Sequence, residues 1–133
     1  MSKCILVVDD NVSMRTATRR FLEAETSFRV CGEAVDGFDA IEKTSHLNPD
    51  LIVLDFEMPR MNGLQAALKL REMKVYTPII LFTMYADAVP SHDAAASDIN
   101  VVISKSDTAG LRRHVESLLV NPQSSPPRHE FEN

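Results

Sequence analysis

Four apolar runs in this 133-residue chain end on side chains able to do chemistry. ILVV runs into the adjacent acids Asp9 and Asp10, LIVL into Asp55, PIILF into Thr83, and VVI into Ser104 and Lys105. Singly, each has an ordinary role: an Asp after a strand caps a helix, and a Lys is a solvated charge. Jointly they are three carboxylates, hydroxyls and an ammonium. Crowded carboxylates repel and raise one another's pKa unless a cation accompanies them. Mg²⁺ suits such a site, because it takes one or two carboxylates, keeps several waters and shares phosphate oxygens. A Lys and a Thr supply donors for a phosphoryl group. An Asp carboxylate is a competent nucleophile for phosphoryl transfer and yields an acyl phosphate. Metal, ammonium and hydroxyl would then stabilise the charge on the equatorial oxygens.

Those residues converge only if the runs are neighbouring strands. The runs are CILVV (4–8), FRVCG (28–32), LIVL (51–54), PIILF (78–82) and VVI (101–103), β-branched and near-continuous rather than alternating. That predicts parallel strands covered on both faces, with the more mixed FRVCG at an edge. Helical periodicity lies between them. Residues 12–24 set Met14, Ala17, Phe21 and Leu22 on one stripe, and 37–47 carry Phe38, Ile41 and Leu47. Residues 62–73 open on Asn62 as an N-cap and repeat Leu64, Ala67, Leu68 and Met73. Residues 107–119 open on Asp107 and carry Leu111, Val115, Leu118 and Leu119. The segment 86–97 is weak, because Pro90 interrupts it and large apolar residues are few, so a short helix is expected there. Strand and helix alternate five times, which predicts an α/β, doubly wound five-stranded parallel sheet with right-handed crossovers and helices on both faces. In such sheets ligands bind at the carboxyl ends of the strands, where the chemically able residues stand. One domain over 1–120 is expected, followed by a flexible tail or linker stub over 121–133, NPQSSPPRHEFEN.

Composition narrows the class. Hydrophobic residues are 44% and charged residues 25%, ordinary for a soluble globular domain. The net charge of -5 argues against direct nucleic-acid binding by this chain. No apolar stretch is of membrane-spanning length, and MSKCILVVDD does not read as a signal peptide. Cys4 and Cys31 share no metal-ligand spacing, so reduced, buried thiols in a cytoplasmic protein are expected. A dinucleotide site needs a glycine-rich first turn, but DDNVSM has no glycine; a P-loop is absent, and none of His46, His92, His114 and His129 closes a strand. A haloacid-dehalogenase-like phosphatase would separate the first two acids by one residue, whereas here they adjoin.

VVDDN, LDFEMPRMNG, LFT and ISK, each closing a strand in this order, make the chain resemble a response-regulator receiver domain of two-component signalling, CheY-like, over about residues 3–120. VCGEAVDG is similar to receivers that precede a helix-turn-helix output domain. The resemblance implies a flavodoxin-like sheet of order 2-1-3-4-5. It implies Asp55 as phosphoacceptor from a sensor histidine kinase, and a Mg²⁺ ion held by Asp10 and Asp55, by Asp9 in support, and by the Glu57 backbone carbonyl. Thr83 and Lys105 would each take a phosphoryl oxygen, and Met58, Pro59 and Gly63 would shape the loop after the third strand. The chain would be no enzyme in the turnover sense, catalysing only its own phosphorylation and dephosphorylation. Signal would pass through the face of strands four and five to an output domain or partner protein, or to a second copy through the helix 4–strand 5–helix 5 face. There are three departures. Val102 stands where an aromatic is usual, which leaves Tyr85 as its substitute or as ordinary packing. Ser106 replaces the proline common after the lysine, where relatives have a cis bond. Pro90 falls inside the fourth helix. The rival readings are a phosphorylation-independent interaction module on the same fold and a phosphatase for free substrates.

Overall fold

Runs of Ile, Leu and Val that leave no polar face can only be strands sandwiched between layers, and the computed structural model, which describes residues 3–120, arranges them so. In chain order the elements are β1 (Cys4–Val8), α1 (Val12–Glu25), β2 (Arg29–Ala34), α2 (Gly37–Leu47), β3 (Leu51–Leu54), α3 (Gly63–Glu72), β4 (Ile79–Thr83), α4 (Ser91–Ala96), β5 (Val101–Ser104) and α5 (Thr108–Val120). All strand pairs are parallel, in the order β2-β1-β3-β4-β5. The predicted doubly wound α/β sheet is therefore the observed one, with β2 at an edge. The tail expected over 121–133 lies outside the described residues.

Alternation along each strand divides the core in two. Leu6, Val8, Ile52, Leu54, Ile79 and Leu81 face one way, onto Ala40, Leu64, Leu70 and Ala94 of α2, α3 and α4. Ile5, Val7, Val53, Ile80 and Ile103 face the other way, onto Leu22 of α1 and Leu111, Val115 and Leu118 of α5. The helix stripes expected from periodicity hold for α5 and for Leu64 and Ala67 of α3. They shift elsewhere. In α1 Leu22 is buried and Phe21 packs against the core as expected, but Thr18 is buried in place of Ala17, which is exposed. In α2 the buried residues are Gly37, Ala40 and Thr44, with Ile41 packed against the core as expected, while Phe38 and Leu47 are exposed, as are Leu68 of α3 and Met73 at its C-cap. Small residues let those helices lie close to the sheet, which turns the large apolar side chains outward. Pro90 sits at the N-cap of α4, not within it, and separates it from a 3₁₀ turn at Ala86–Ala88.

The cysteines overturn an expectation. Cys4 and Cys31 form a disulfide between β1 and β2, with a Cα–Cα distance of 5.4 Å. The parallel register pairs Ile5 with Val30 and Leu6 with Gly32, so a bulge leaves Cys31 beside the start of β1. Sequence spacing carries no trace of that pairing. The Lys105–Ser106 bond, which the sequence leaves open between cis and trans, is trans, as no described peptide bond is cis. No helix among the described residues is long and apolar enough to cross a membrane.

Candidate functional site

Register builds the site. Val8 pairs with Leu54, and the Asp55 N–H donates to the Val8 carbonyl at 3.0 Å, so the residues just past β1 and β3 stand side by side. Across β4 and β5, Thr83 pairs with Ser104, and the Lys105 N–H donates to the Thr83 carbonyl at 2.9 Å. The chain leaves β1 toward β2 on one side and β3 on the other, which is the reversal of strand order where open α/β sheets bind ligands.

Asp9, Asp10 and Asp55 each offer a carboxylate oxygen, all within 4.8 Å of one another. Asp9 and Asp55 are buried and Asp10 is exposed. Asp9 is heavily engaged: Oδ1 accepts the Asn11 N–H at 2.9 Å, and Oδ2 pairs with Lys105 Nζ at 2.6 Å. Lys105 reaches Asp55 Oδ2 at 3.5 Å, so its ammonium lies nearer Asp9 than Asp55. Asp55 Oδ1 accepts the Phe56 N–H at 2.8 Å. One ammonium against three carboxylates leaves the cluster negative. Burial first, then the charge of Asp9, lifts Asp55 from 3.8 to about 6, against the pull of Lys105 and the Phe56 N–H. A small hard cation would offset both the burial and the repulsion, and an all-oxygen donor set of this size fits Mg²⁺.

The remaining expected residues lie at the end of β4 and along the connection from β3 to α3. Thr83 is fully buried, and its Oγ1 accepts the Tyr85 N–H at 3.1 Å, so the hydroxyl hydrogen is what it can offer a ligand. Glu57 is exposed on the β3–α3 loop, two residues past Asp55. Met58 is buried and Pro59 exposed. Asn62 caps α3 in a reciprocal capping box with Gln65. Gly63 donates its N–H to the Phe56 carbonyl at 2.7 Å, and a Cβ there would collide with the Asp55 carbonyl, so the loop needs a glycine to close on the acid.

Two groups escaped the sequence reading. Arg60 sits in left-handed backbone at φ 69°, pairs with Asp36 at 2.6 Å and lies over the Phe38 ring, which ties the β3–α3 loop to the start of α2. Arg15 joins the Asp9 carbonyl to Glu33 on β2. Both links depend on which loops and strands adjoin, and the positive φ at Arg60 has no sequence signal.

The model of the response regulator receiver domain matches residues 5–116. A protein-glutamate methylesterase/protein-glutamine glutaminase of Paramagnetospirillum magneticum is 36% identical over 81% of this chain and 30% of its own length. One from a Nocardioides strain is 32% identical over 93% of this chain and 36% of its own length. The chain thus spans about a third of those relatives. Among solved structures, the response regulator TrrA of Thermotoga maritima, in complex with Mg²⁺ and BeF, superposes with TM-score 0.79 at 33% identity over 88% of this chain and 99% of that one. The receiver domain of NarL from Mycobacterium tuberculosis gives 0.81 at 26% identity over 90% and 98%.

Proposed function

Since the chain belongs to the response regulator receiver domain family, we propose that it takes a phosphoryl group from the phosphohistidine of a sensor histidine kinase onto Asp55, in a Mg²⁺-dependent reaction. The observation that carries this is the convergence of Asp9, Asp10 and Asp55 on one point, with Lys105 against them. Asp55 Oδ2, turned toward the ammonium, is the attacking oxygen; Oδ1 is occupied by the Phe56 N–H. Asp10 and Asp55 would hold the cation directly, Asp9 would support it, and the Glu57 carbonyl would complete the protein ligands. When bound, the cation would neutralise charge on the phosphoryl oxygens and the carboxylates. Thr83 would donate its hydroxyl to one phosphoryl oxygen, and Lys105 would leave part of its bond to Asp9 for another. Water attack on the acyl phosphate resets the domain.

The new dianion would draw Thr83 and Lys105 inward and bias a two-state equilibrium of the loops after β3 and β4. The β4–β5 side would then engage an output domain, a partner protein, or a second copy through α4, β5 and α5. Val102 is half-buried on that side and Tyr85 is exposed, so a rotating aromatic would have to be Tyr85. A kinase partner of this kind implies a cytoplasmic site of action, where the Cys4–Cys31 crosslink would be held open by the reducing environment. The methylesterase activity in the relatives' names belongs to proteins of which this chain matches about a third, and we do not extend it to this domain.

Incubation with Mg²⁺ and acetyl phosphate, followed by intact mass, tests the reading. One phosphoryl adduct, absent in Asp55→Asn, is expected. No adduct, where a control receiver labels, sinks it in favour of the interaction module that Val102 and the short α4 favour. Phosphate release without an adduct would point to a phosphatase.

A further inference from the structure

The backbone of Asp9 is held at both ends. Its N–H donates to the Ala34 carbonyl on β2 at 3.1 Å. Its carbonyl accepts from Arg15 Nη1 at 2.8 Å. The same guanidinium donates through Nε to Glu33 Oε1 at 2.8 Å, and the Arg15 side chain is 13% exposed. Glu33 is anchored in turn: Oε2 pairs with Arg19 Nη1 at 2.8 Å, and its carbonyl accepts from Lys43 Nζ at 2.6 Å. A run of charge-assisted bonds therefore leads from the edge strand, through Arg15, to the peptide between Asp9 and Asp10.

That peptide is one rigid plane, so the direction of the Asp9 carbonyl sets the Cα of Asp10 and the origin of its side chain. Asp10 is the exposed member of the carboxylate cluster, so packing does little to aim it. Resting on the reading of that cluster as a Mg²⁺ site, we propose that Arg15 is a positioning residue that holds the Asp9–Asp10 peptide in the orientation that presents Asp10 to the cation. It acts through backbone, on a carbonyl, not on a carboxylate or a phosphoryl group. The planar guanidinium is needed because two acceptors, on different elements, must be held in fixed relative geometry; a lysine ammonium cannot span both.

Mg²⁺ binding by calorimetry to wild type, Arg15→Gln and Arg15→Lys tests this, with the Asp10 amide resonance of the metal-free proteins as a second readout. Arg15→Gln is expected to weaken Mg²⁺ binding by about tenfold or more, the usual consequence of losing an outer-shell partner. The Asp10 amide shifts with it before any metal is added. Arg15→Lys stays weakened. Unchanged Mg²⁺ affinity and an unmoved Asp10 amide in Arg15→Gln would overturn the proposal, as would full rescue by lysine, since charge alone would then suffice. If Arg15→Gln does not fold, Glu33→Ala, which frees the other end of the guanidinium, must weaken Mg²⁺ binding and shift Asp10; wild-type behaviour there also overturns it. Wild type without Mg²⁺ binding sinks the metal reading itself, a distinct failure.

Discussion

Asp55 carries the largest electrostatic tension in the site. Burial and Asp9 raise its carboxyl to about 6 from 3.8, with Lys105 and the Phe56 N–H opposing. A folded pKa above the unfolded one means that protonation favours the fold. The contribution is complete below 3.8 and is lost as pH rises through about 6. Metal-free protein should therefore lose melting temperature across that window. Asp55→Asn should flatten the loss and melt a few degrees higher at neutral pH, about 1–2 kcal/mol after discounting for solvent screening. Parallel melting curves for the two proteins across that pH range would show that burial does not penalise the carboxylate. Crowding of acids is visible in the sequence, and so is the direction of this shift. That burial outweighs Asp9 as its cause is not, because burial belongs to the packed loop closed by Gly63.

At the scale of elements, the edge strand does more than cover one side of the sheet. β2 carries Cys31, which crosslinks to Cys4, and Glu33, which anchors Arg15. The disulfide closes a loop with a sequence separation of 27. On the chain-entropy account such a crosslink contributes about 3.5 kcal/mol by restricting the unfolded chain. Reduction with a dithiol should lower the melting temperature by roughly 10 °C, at about 3–4 °C per kcal/mol for a domain of this size. The Cys4→Ser, Cys31→Ser double variant should match the reduced protein and not respond to the dithiol. Equal melting temperatures with and without reductant would remove the crosslink from the account of stability. Periodicity located these elements well. It missed their facing where small residues set the contact, so Phe38 and Ala17 turned out exposed while Thr18 and Thr44 are buried.

For the whole molecule, folding and a cation bound at the acidic cluster would be thermodynamically linked. A ligand that binds only the folded state stabilises it by mass action, about 2.7 kcal/mol at a hundredfold excess over Kd. Millimolar Mg²⁺ should thus raise the melting temperature of wild type at neutral pH by several degrees and remove the advantage of Asp55→Asn. A melting temperature indifferent to Mg²⁺ would sink the site assignment. The five strands, their order in the chain and the residue closing each were legible in the sequence, because apolar runs are local and the carboxyl ends of parallel strands share one edge. So Asp9, Asp10, Asp55, Thr83 and Lys105 could be named before any fold was known. What only tertiary structure decided is pairing: Lys105 against Asp9 more closely than Asp55, Cys4 with Cys31, Arg15 with Glu33 and the Asp9 carbonyl. Those contacts join residues on different elements, and their distances follow from register, bulge and side-chain reach, which no local pattern of residues encodes.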